Sequence, residues 1–478
     1  MGKNISITID NWCAKVDGDV PKEVVIDATS YLKTNVQHST LYKKKLWDGR
    51  TKLFDKRRET FPAGLCFVVK EKIEKWAARN EIDVDVSIKR KPPPEPLGDT
   101  LELKGIRLRE YQKEAAEALL KAGMGILQAA TGSGKTETAA AVIQYIGRKT
   151  LFFVPSRDLL HQTADRLKTR LGVEIGMIGD DNFDVKDITV VLVPAAAKFY
   201  SNSKSKNNKP IRDVLRSAEV LVIDECHRIA AKTFYKMTKH CNAPYRFAMS
   251  GTPLDRADGA NLAVIAMGGP VVYEITNEDL KDLGFLVPAE IAFHHISDPK
   301  PDSDDYDKPY VDLYTKFIVK NYQRNHKIIN QTIDYYNKDC VVLILVERIE
   351  HGNILSNMLW GKKDFLPHEF ISGKEPTTER KMILEDLRSG LLRIVIATRI
   401  FAEGIDVPII DVIIPAGGEK AKIKTLQRIG RGLRKGNKLG KLVVVEFFDK
   451  MHPIFKKHSV TRYRDYLDEN CFDLKEVR

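Results

Sequence analysis

Short, unbroken apolar runs recur along this 478-residue chain, and they constrain its fold more than any other feature. Leu151-Phe152-Phe153-Val154, Val190-Val191-Leu192-Val193 and Val220-Leu221-Val222-Ile223 show no polar alternation, so both faces of each strand must be covered. That is the pattern of parallel sheets flanked by helices. A second series follows in Val341 to Val346, Ile394-Val395-Ile396-Ala397, Val412-Ile413-Ile414 and Leu442-Val443-Val444-Val445. Two doubly wound α/β domains in tandem are expected, which suits a chain too long for one ordinary domain.

The clearest boundary is Lys91-Pro92-Pro93-Pro94-Glu95-Pro96, because proline can continue neither a helix nor a central strand. Before it, residues 1–90 read as a small α+β domain. Ile5, Ile7 and Ile9 alternate as a half-buried strand does, and so do Ile82, Val84, Val86 and Ile88. One helix is expected to open at Pro21 and carry Val25, Ala28 and Leu32, and another to carry Val69, Ile73, Trp76 and Ala77. Between them, Asp48-Gly49 predicts a tight hairpin over Lys43 to Phe54 that pairs Trp47 with Arg50 and Lys45 with Lys52. Such a hairpin would show Lys43, Lys45, Trp47, Arg50 and Lys52 on one face, with Leu46 and Leu53 turned to the core. Cations around an aromatic suit a phosphate backbone and a stacked base. A solvated charged hairpin covering a small core is the alternative. Beyond the linker (91–99), the expected domains are 100–285 and 286–455, with a tail from 456. Residues 201–210 and 299–309 read as exposed loops.

The formal net charge of +12 favours polyanionic partners, though it does not by itself establish one. Six cysteines lie far apart without metal-ligand spacing, so neither a structural metal nor disulfides are expected. No apolar run is long enough for a membrane span, and the first residues lack a secretory h-region. A cytoplasmic chain, that of the host if phage-encoded, is the expectation.

Chemistry concentrates at Thr131-Gly132-Ser133-Gly134-Lys135-Thr136, between an apolar segment and an alanine-rich helix. Glycines let the backbone wrap phosphates, and the helix N-terminus adds positive potential. Lys135 is expected to neutralise β/γ-phosphates and Thr136 to coordinate magnesium. Ala129 stands where the strict motif has its first glycine. At the end of Val220–Ile223 comes Asp224-Glu225-Cys226-His227. A carboxylate there can hold magnesium while its neighbour activates water, which makes Asp224 the candidate metal residue and Glu225 the candidate base.

Asp-Glu-Cys-His beside a phosphate loop resembles the DExH branch of superfamily 2 helicases, and further motifs occur in that family's order. The resemblance implies two RecA-like motor domains, ATP and Mg2+ as cofactors, and roles for particular residues. Arg109 and Gln112 of Arg109-Glu110-Tyr111-Gln112 would read the adenine. Ser156 and Arg157 would touch the strand, as would Thr398. His227, Ser250 and Thr252 would couple hydrolysis to movement. Gly404 and Asp406 would meet the nucleotide, and Gln427, Arg431 and Arg434 of Gln427-Arg428-Ile429-Gly430-Arg431-Gly432-Leu433-Arg434 would act on the phosphoryl group, the two arginines as fingers. Trp47-Asp48-Gly49-Arg50, Phe61-Pro62-Ala63-Gly64-Leu65 and Val346-Glu347-Arg348-Ile349-Glu350-His351-Gly352 resemble the phage UvsW-type recombination and repair helicases. That likeness implies a DNA helicase or translocase working on forks and four-way junctions; a monomer is compatible with the sequence, which leaves the oligomeric state open. An RNA helicase, a duplex translocase that separates no strands, and a DNA-binding protein with a relic ATP site are the alternatives.

Overall fold

The computed structural model describes residues 3–34, 36–130, 132–254, 259–285, 288–362, 366–372, 377–398, 410–419, 438–467 and 472–477. The chain divides into two compact units, Met1–Ile275 and Thr276–Arg478. Among the described residues no helix is long and apolar enough to cross a membrane.

The first unit is built on an eight-stranded sheet in the order Asn182–Asp184, Gly176–Gly179, Ile188–Leu192, Thr150–Val154, Val220–Ile223, Tyr245–Ser250, Met124–Ala129, Val271–Ile275. All its pairings are parallel except the first. The four residues of Val220–Ile223 are fully buried, as their unbroken apolar run requires. In the second unit a seven-stranded parallel sheet runs His368–Ile371, Ile394–Ala397, Val342–Leu345, Val412–Pro415, Leu442–Asp449, Ala289–Ile296, Phe472–Val477. Both expected parallel-sheet domains are therefore present. Residues set apart above as a tail belong to this second sheet: Phe472–Val477 is its edge strand, and the helix Pro453–Leu467 buries Arg462 against Glu446 and Asp449.

The N-terminal residues form a four-stranded sheet, Phe61–Pro62, Cys13–Asp17, Lys3–Asp10, Val84–Arg90, with Lys3–Asp10 parallel to Val84–Arg90. The helix Cys66–Arg79 buries Val69, Ile73 and Ala77 as its spacing predicts. The first helix stops at Ala28, and Leu32 lies instead on an exposed strand edge. The hairpin expectation is overturned. Asp48 and Gly49 do form a turn, with Asp48 Oδ1 accepting from the Arg50 amide and Gly49 at φ +77°. Yet the residues before it are a short helix, Thr40–Lys43, and Arg50–Lys52 pairs with Ser30–Leu32 twenty residues upstream. Leu46 is 73% exposed rather than turned to the core. The local turn signal was right and the choice of partner strand was not, because pairing is decided by tertiary contacts as well as by the turn.

This N-terminal sheet shares its core with the large one. Ile5, Phe61, Leu65 and Ile73 belong to one buried cluster with Cys226, Ile229, Val264 and Met267. The prolines before residue 97 are strapped down: Tyr245 Oη donates to the Pro94 carbonyl at 2.9 Å, and the Leu97 amide to Ile146 at 2.9 Å. At Gly64 the approach is backbone to backbone, and a Cβ would stand 2.0 Å from the Ile265 carbonyl oxygen. Gly64→Ala must therefore push the turn off the helix Asn261–Gly268. We expect a loss of about 1–3 kcal/mol, as for overpacking in general, read as a lower urea midpoint. An unchanged midpoint would contradict this packing.

Candidate functional site

The strand Met124–Ala129 runs into the loop at 130–134 and then into the helix Lys135–Ile146. Gly132 and Gly134 both hold positive φ, +88° and +85°, which side chains resist. At Gly134 a Cβ would also strike Gln112 Nε2 at 2.2 Å. The loop is clamped from the helix Glu110–Ala122: Gln112 Nε2 donates to the Ser133 carbonyl at 2.8 Å and Tyr111 Oη at 2.7 Å. Arg109 donates to Tyr111 Oη at 2.8 Å, and the Arg109 amide donates to Gln112 Oε1 at 2.9 Å. Sequence reasoning singled out Arg109 and Gln112 but missed Tyr111, whose phenol joins them to the loop. Lys135 Nζ donates back to the carbonyls of Ala129, at 3.0 Å, and Ala130, at 3.4 Å.

Strand order brings the second half alongside. Tyr245–Ser250 lies between Val220–Ile223 and Met124–Ala129, so the carboxyl ends of three neighbouring parallel strands carry Asp224, Ser250 and the loop. Asp224 is buried, and its Oδ1 accepts from the Glu225 amide at 2.8 Å. Burial, then the Glu225 carboxylate, push the Asp224 carboxyl up to about 7 against the pull of Lys135. Glu225 occupies the left-handed region at φ +49°, a strain of about 1 kcal/mol or more, which turns its side chain from the strand's course. Its Oε2 lies 3.3 Å from His227 Nδ1, and the same nitrogen is 3.1 Å from Ser250 Oγ. Ser250 Oγ in turn accepts from the Thr252 amide at 3.2 Å. His227, Ser250 and Thr252 thus form a chain from the acidic pair to the end of the next strand.

These residues fit a phosphate ester with a divalent cation. Ser133 Oγ and Thr252 Oγ1 are buried and lack hydrogen-bond partners among the described residues, and a buried polar atom left so is costly. Half-buried Thr136 stands in the first turn of the loop helix. A lysine, buried carboxylate and loop at a helix N-terminus supply complementary charge for both groups.

Residues 105–255 match the family described as type III restriction enzyme, res subunit, and residues 324–436 match the helicase conserved C-terminal domain. Together they take in more than half of the chain. It belongs to the superfamily 2 helicases. This helicase is 26% identical to the DNA 3'-5' translocase XPB2 of Sulfurisphaera tokodaii over 403 residues, 78% of this chain and 88% of that one. To the ATP-dependent DNA helicase uvsW of Enterobacteria phage T4 it is 24% identical over 416 residues, 81% of this chain and 79% of that one. The structure of S. cerevisiae Dbp5 bound to RNA and ADP BeF3 matches with a TM-score of 0.55 at 15% identity, covering 77% of this chain and 89% of that one, a likeness of fold. ATP-dependent activity follows from the two helicase domains.

The remaining candidates separate clearly. Ser156 caps the helix Arg157–Leu171 at the carboxyl end of Thr150–Val154, with its Oγ accepting from Leu159. Arg157 is exposed, 3.4 Å from Asp180. Thr398 follows the strand Ile394–Ala397 of the second unit, its amide donating to Ile371 at 3.0 Å. In the N-terminal group, Lys43 and Lys45 are exposed, but Lys52 pairs with Asp48 at 2.6 Å. Arg50 is consumed by Ser30 and Asp27, and Trp47 donates to the Arg50 carbonyl. Thr131, Gly404, Asp406, Gln427, Arg431 and Arg434 lie outside the described residues.

The Asp224 carboxyl has a stability consequence. Its folded value of about 7 exceeds the unfolded 3.8, so between these values the folded chain holds a proton that the unfolded chain releases. Its contribution is full below about pH 4 and is lost as pH rises toward 7. Asp224→Asn removes that loss, so the variant's advantage in urea midpoint over wild type should grow from pH 5 to pH 8. A constant difference would contradict the burial of a strained charge here.

Proposed function

We propose that this helicase is an ATP-driven DNA helicase or translocase that acts on forked and junction DNA in recombination, repair or replication. The observation that carries the motor is the adjacency of the clamped phosphate loop and the buried Asp224-Glu225 pair on neighbouring parallel strands. DNA as the substrate is supported by likeness to relatives named for DNA translocation and DNA helicase activity. Branched DNA is the reading supported by the resemblance of Trp47-Asp48-Gly49-Arg50, Phe61-Pro62-Ala63-Gly64-Leu65 and the Val346 to Gly352 segment to the UvsW-type recombination and repair helicases.

In this reading ATP with magnesium supplies the phosphoanhydride bond and neutralises its charge. Lys135 and the loop amides bind the phosphates, and Thr136 with Asp224 holds the cation. Glu225 takes the proton of the attacking water, its reach set by the left-handed turn. Tyr111, Gln112 and Arg109 hold the loop from behind. On the motif resemblance alone, Arg431, Arg434 and Gln427 are assigned to the phosphoryl-transfer step and Gly404 and Asp406 to the nucleotide. His227, Ser250 and Thr252 pass the state of Glu225 to the loop that follows Ser250. Ser156, Arg157 and Thr398 contact the strand, as do Lys43, Lys45 and Trp47. Arg50 and Lys52 are better assigned to holding the turn, given their partners.

Two experiments test this. ATP turnover measured with single-stranded DNA, duplex, fork, four-way junction and RNA should rise at least about tenfold with DNA and most with the branched forms. Stimulation by RNA alone would favour the RNA-helicase alternative. Lys135→Ala should lower turnover at least about 100-fold, the scale of losing one preorganised charge, while DNA binding survives. Tyr111→Phe removes the hydrogen bond to the Ser133 carbonyl and the one accepted from Arg109, and a loss of about 1 kcal/mol or more should appear as at least roughly fivefold weaker nucleotide binding. An unchanged affinity would show that the clamp is idle.

A further inference from the structure

A second basic surface lies away from the nucleotide loop. The segment Ser201–Ser217 and the helix Lys232–His240 carry eight lysines and arginines and one carboxylate, Asp213. They are held together as a unit. Tyr200 stacks on His240 with ring centroids 4.6 Å apart, and the Arg212 guanidinium covers Tyr200 at 4.3 Å. Lys236 stands 5.1 Å from the same ring and donates to Ser201 Oγ. Asn208 donates to the carbonyls of Phe199 and Tyr200. Among the described residues none of the eight cations is in an ion pair, whereas elsewhere in this unit Lys72 meets Asp27 at 2.5 Å and Lys168 meets Glu174 at 2.7 Å. Burial first, and then Lys236, Lys239, Arg212 and Arg216, hold the His240 imidazole below its ordinary value.

Topology places this surface. The helix Lys232–His240 returns the chain from the end of Val220–Ile223 to the start of the parallel strand Tyr245–Ser250. His240 therefore lies toward the amino edge of the sheet, opposite the carboxyl edge that carries Asp224 and the loop. The Asn242 amide donates to Leu215 at 3.0 Å, which brings the end of the helix Asn208–Ser217 to the same edge. The strip continues over the seam with the N-terminal sheet. Lys239 Nζ stands 5.8 Å from the Trp12 ring, on the side of the exposed Lys56-Arg57-Arg58; the Arg58 and Arg57 amides first, and then the Lys239 and Arg58 charges, hold the neighbouring Asp55 carboxyl low.

We propose that this strip is a second nucleic-acid contact, one that grips a duplex arm by its phosphates at the edge opposite the nucleotide loop. It rests on the reading of the chain as a DNA motor. Duplex is favoured over single strand because Tyr200 has its faces occupied by His240 and Arg212, so the strip offers phosphate contacts without a free stacking platform. A rigid helical surface with unpaired cations on either side of a seam suits the regular charge spacing of a duplex.

The test replaces Lys206, Lys209, Arg216 and Lys236, all exposed, with glutamine together. Affinity is measured for a fork with a duplex arm and for single-stranded DNA across a range of salt. Fork affinity should fall at least about tenfold, and its salt slope should become shallower by about 3.6, at roughly 0.9 for each of the four phosphates no longer neutralised. Single-strand affinity and single-strand-stimulated ATP turnover should hold. Unchanged fork affinity and slope, or an equal loss on single strands, would overturn the proposal while leaving the motor reading intact. A wild-type chain whose ATPase no DNA stimulates would instead sink the motor reading. Lysine acetylation of the wild-type chain needs no variant: the fork should protect Lys206, Lys209 and Lys236 and single-stranded DNA should not, and equal labelling in both would overturn the assignment.

Discussion

Tyr245–Ser250 sits between Val220–Ile223 and Met124–Ala129, all three parallel, and this order makes a site out of residues more than a hundred positions apart. Parallel strands end on the same side, so Asp224, Ser250 and the loop before Lys135 converge without any special contact to hold them. What remains is local. Two glycines at positive φ shape the loop, Tyr111 and Gln112 clamp it, and one left-handed residue turns Glu225 toward His227. The price of the arrangement is a carboxyl kept out of water beside a second one, which is why Asp224 titrates far above an ordinary aspartate. Buried charge opposed to stability is the usual condition of a site built for a ligand that neutralises it.

The same unit holds the N-terminal sheet as part of one core. Gly64 admits the Ile265 carbonyl where any side chain would collide, and the cluster that contains Ile5 and Ile73 also contains Cys226 and Ile229, on the turn directly after Asp224-Glu225. A shift in that turn is therefore felt by residues that pack the N-terminal sheet. Packed interiors transmit displacement because they have little free volume. In this chain the N-terminal module and the hydrolytic turn share a support, and the basic strip over Lys236 and Lys239 crosses the seam between them.

Much of this was legible from residues alone, for identifiable reasons. Fully buried strands announce themselves as unbroken apolar runs, so the seven strands named from sequence in the two large sheets all fall where expected, though Val193 opens a helix. The loop and Asp224-Glu225 were legible because phosphate chemistry restricts which residue types can serve. Tyr111 was not, since a phenol packed behind a loop looks like any core aromatic until the Ser133 carbonyl is seen above it. The Lys43–Phe54 hairpin failed because an Asp-Gly turn specifies a reversal and leaves the pairing partner open; Ser30–Leu32 competed and won. The proline-rich segment reads as a stiff linker, and what the sequence could not show is that its carbonyls at Pro94 and Glu95 are fixed acceptors for Tyr245 and Arg148.

If hydrolysis at Asp224-Glu225 drives separation of DNA strands, strand release from a forked duplex must depend on both ATP cleavage and the Glu225 carboxylate. Release can be followed with the wild-type chain and with Glu225→Gln, each with ATP and with a non-hydrolysable analogue. Wild type should release the strand with ATP alone, and the variant should be slower by at least about 100-fold, the scale of losing a general base. Equal release by both chains, or release by wild type with the analogue, would show that hydrolysis at this pair does not power the separation.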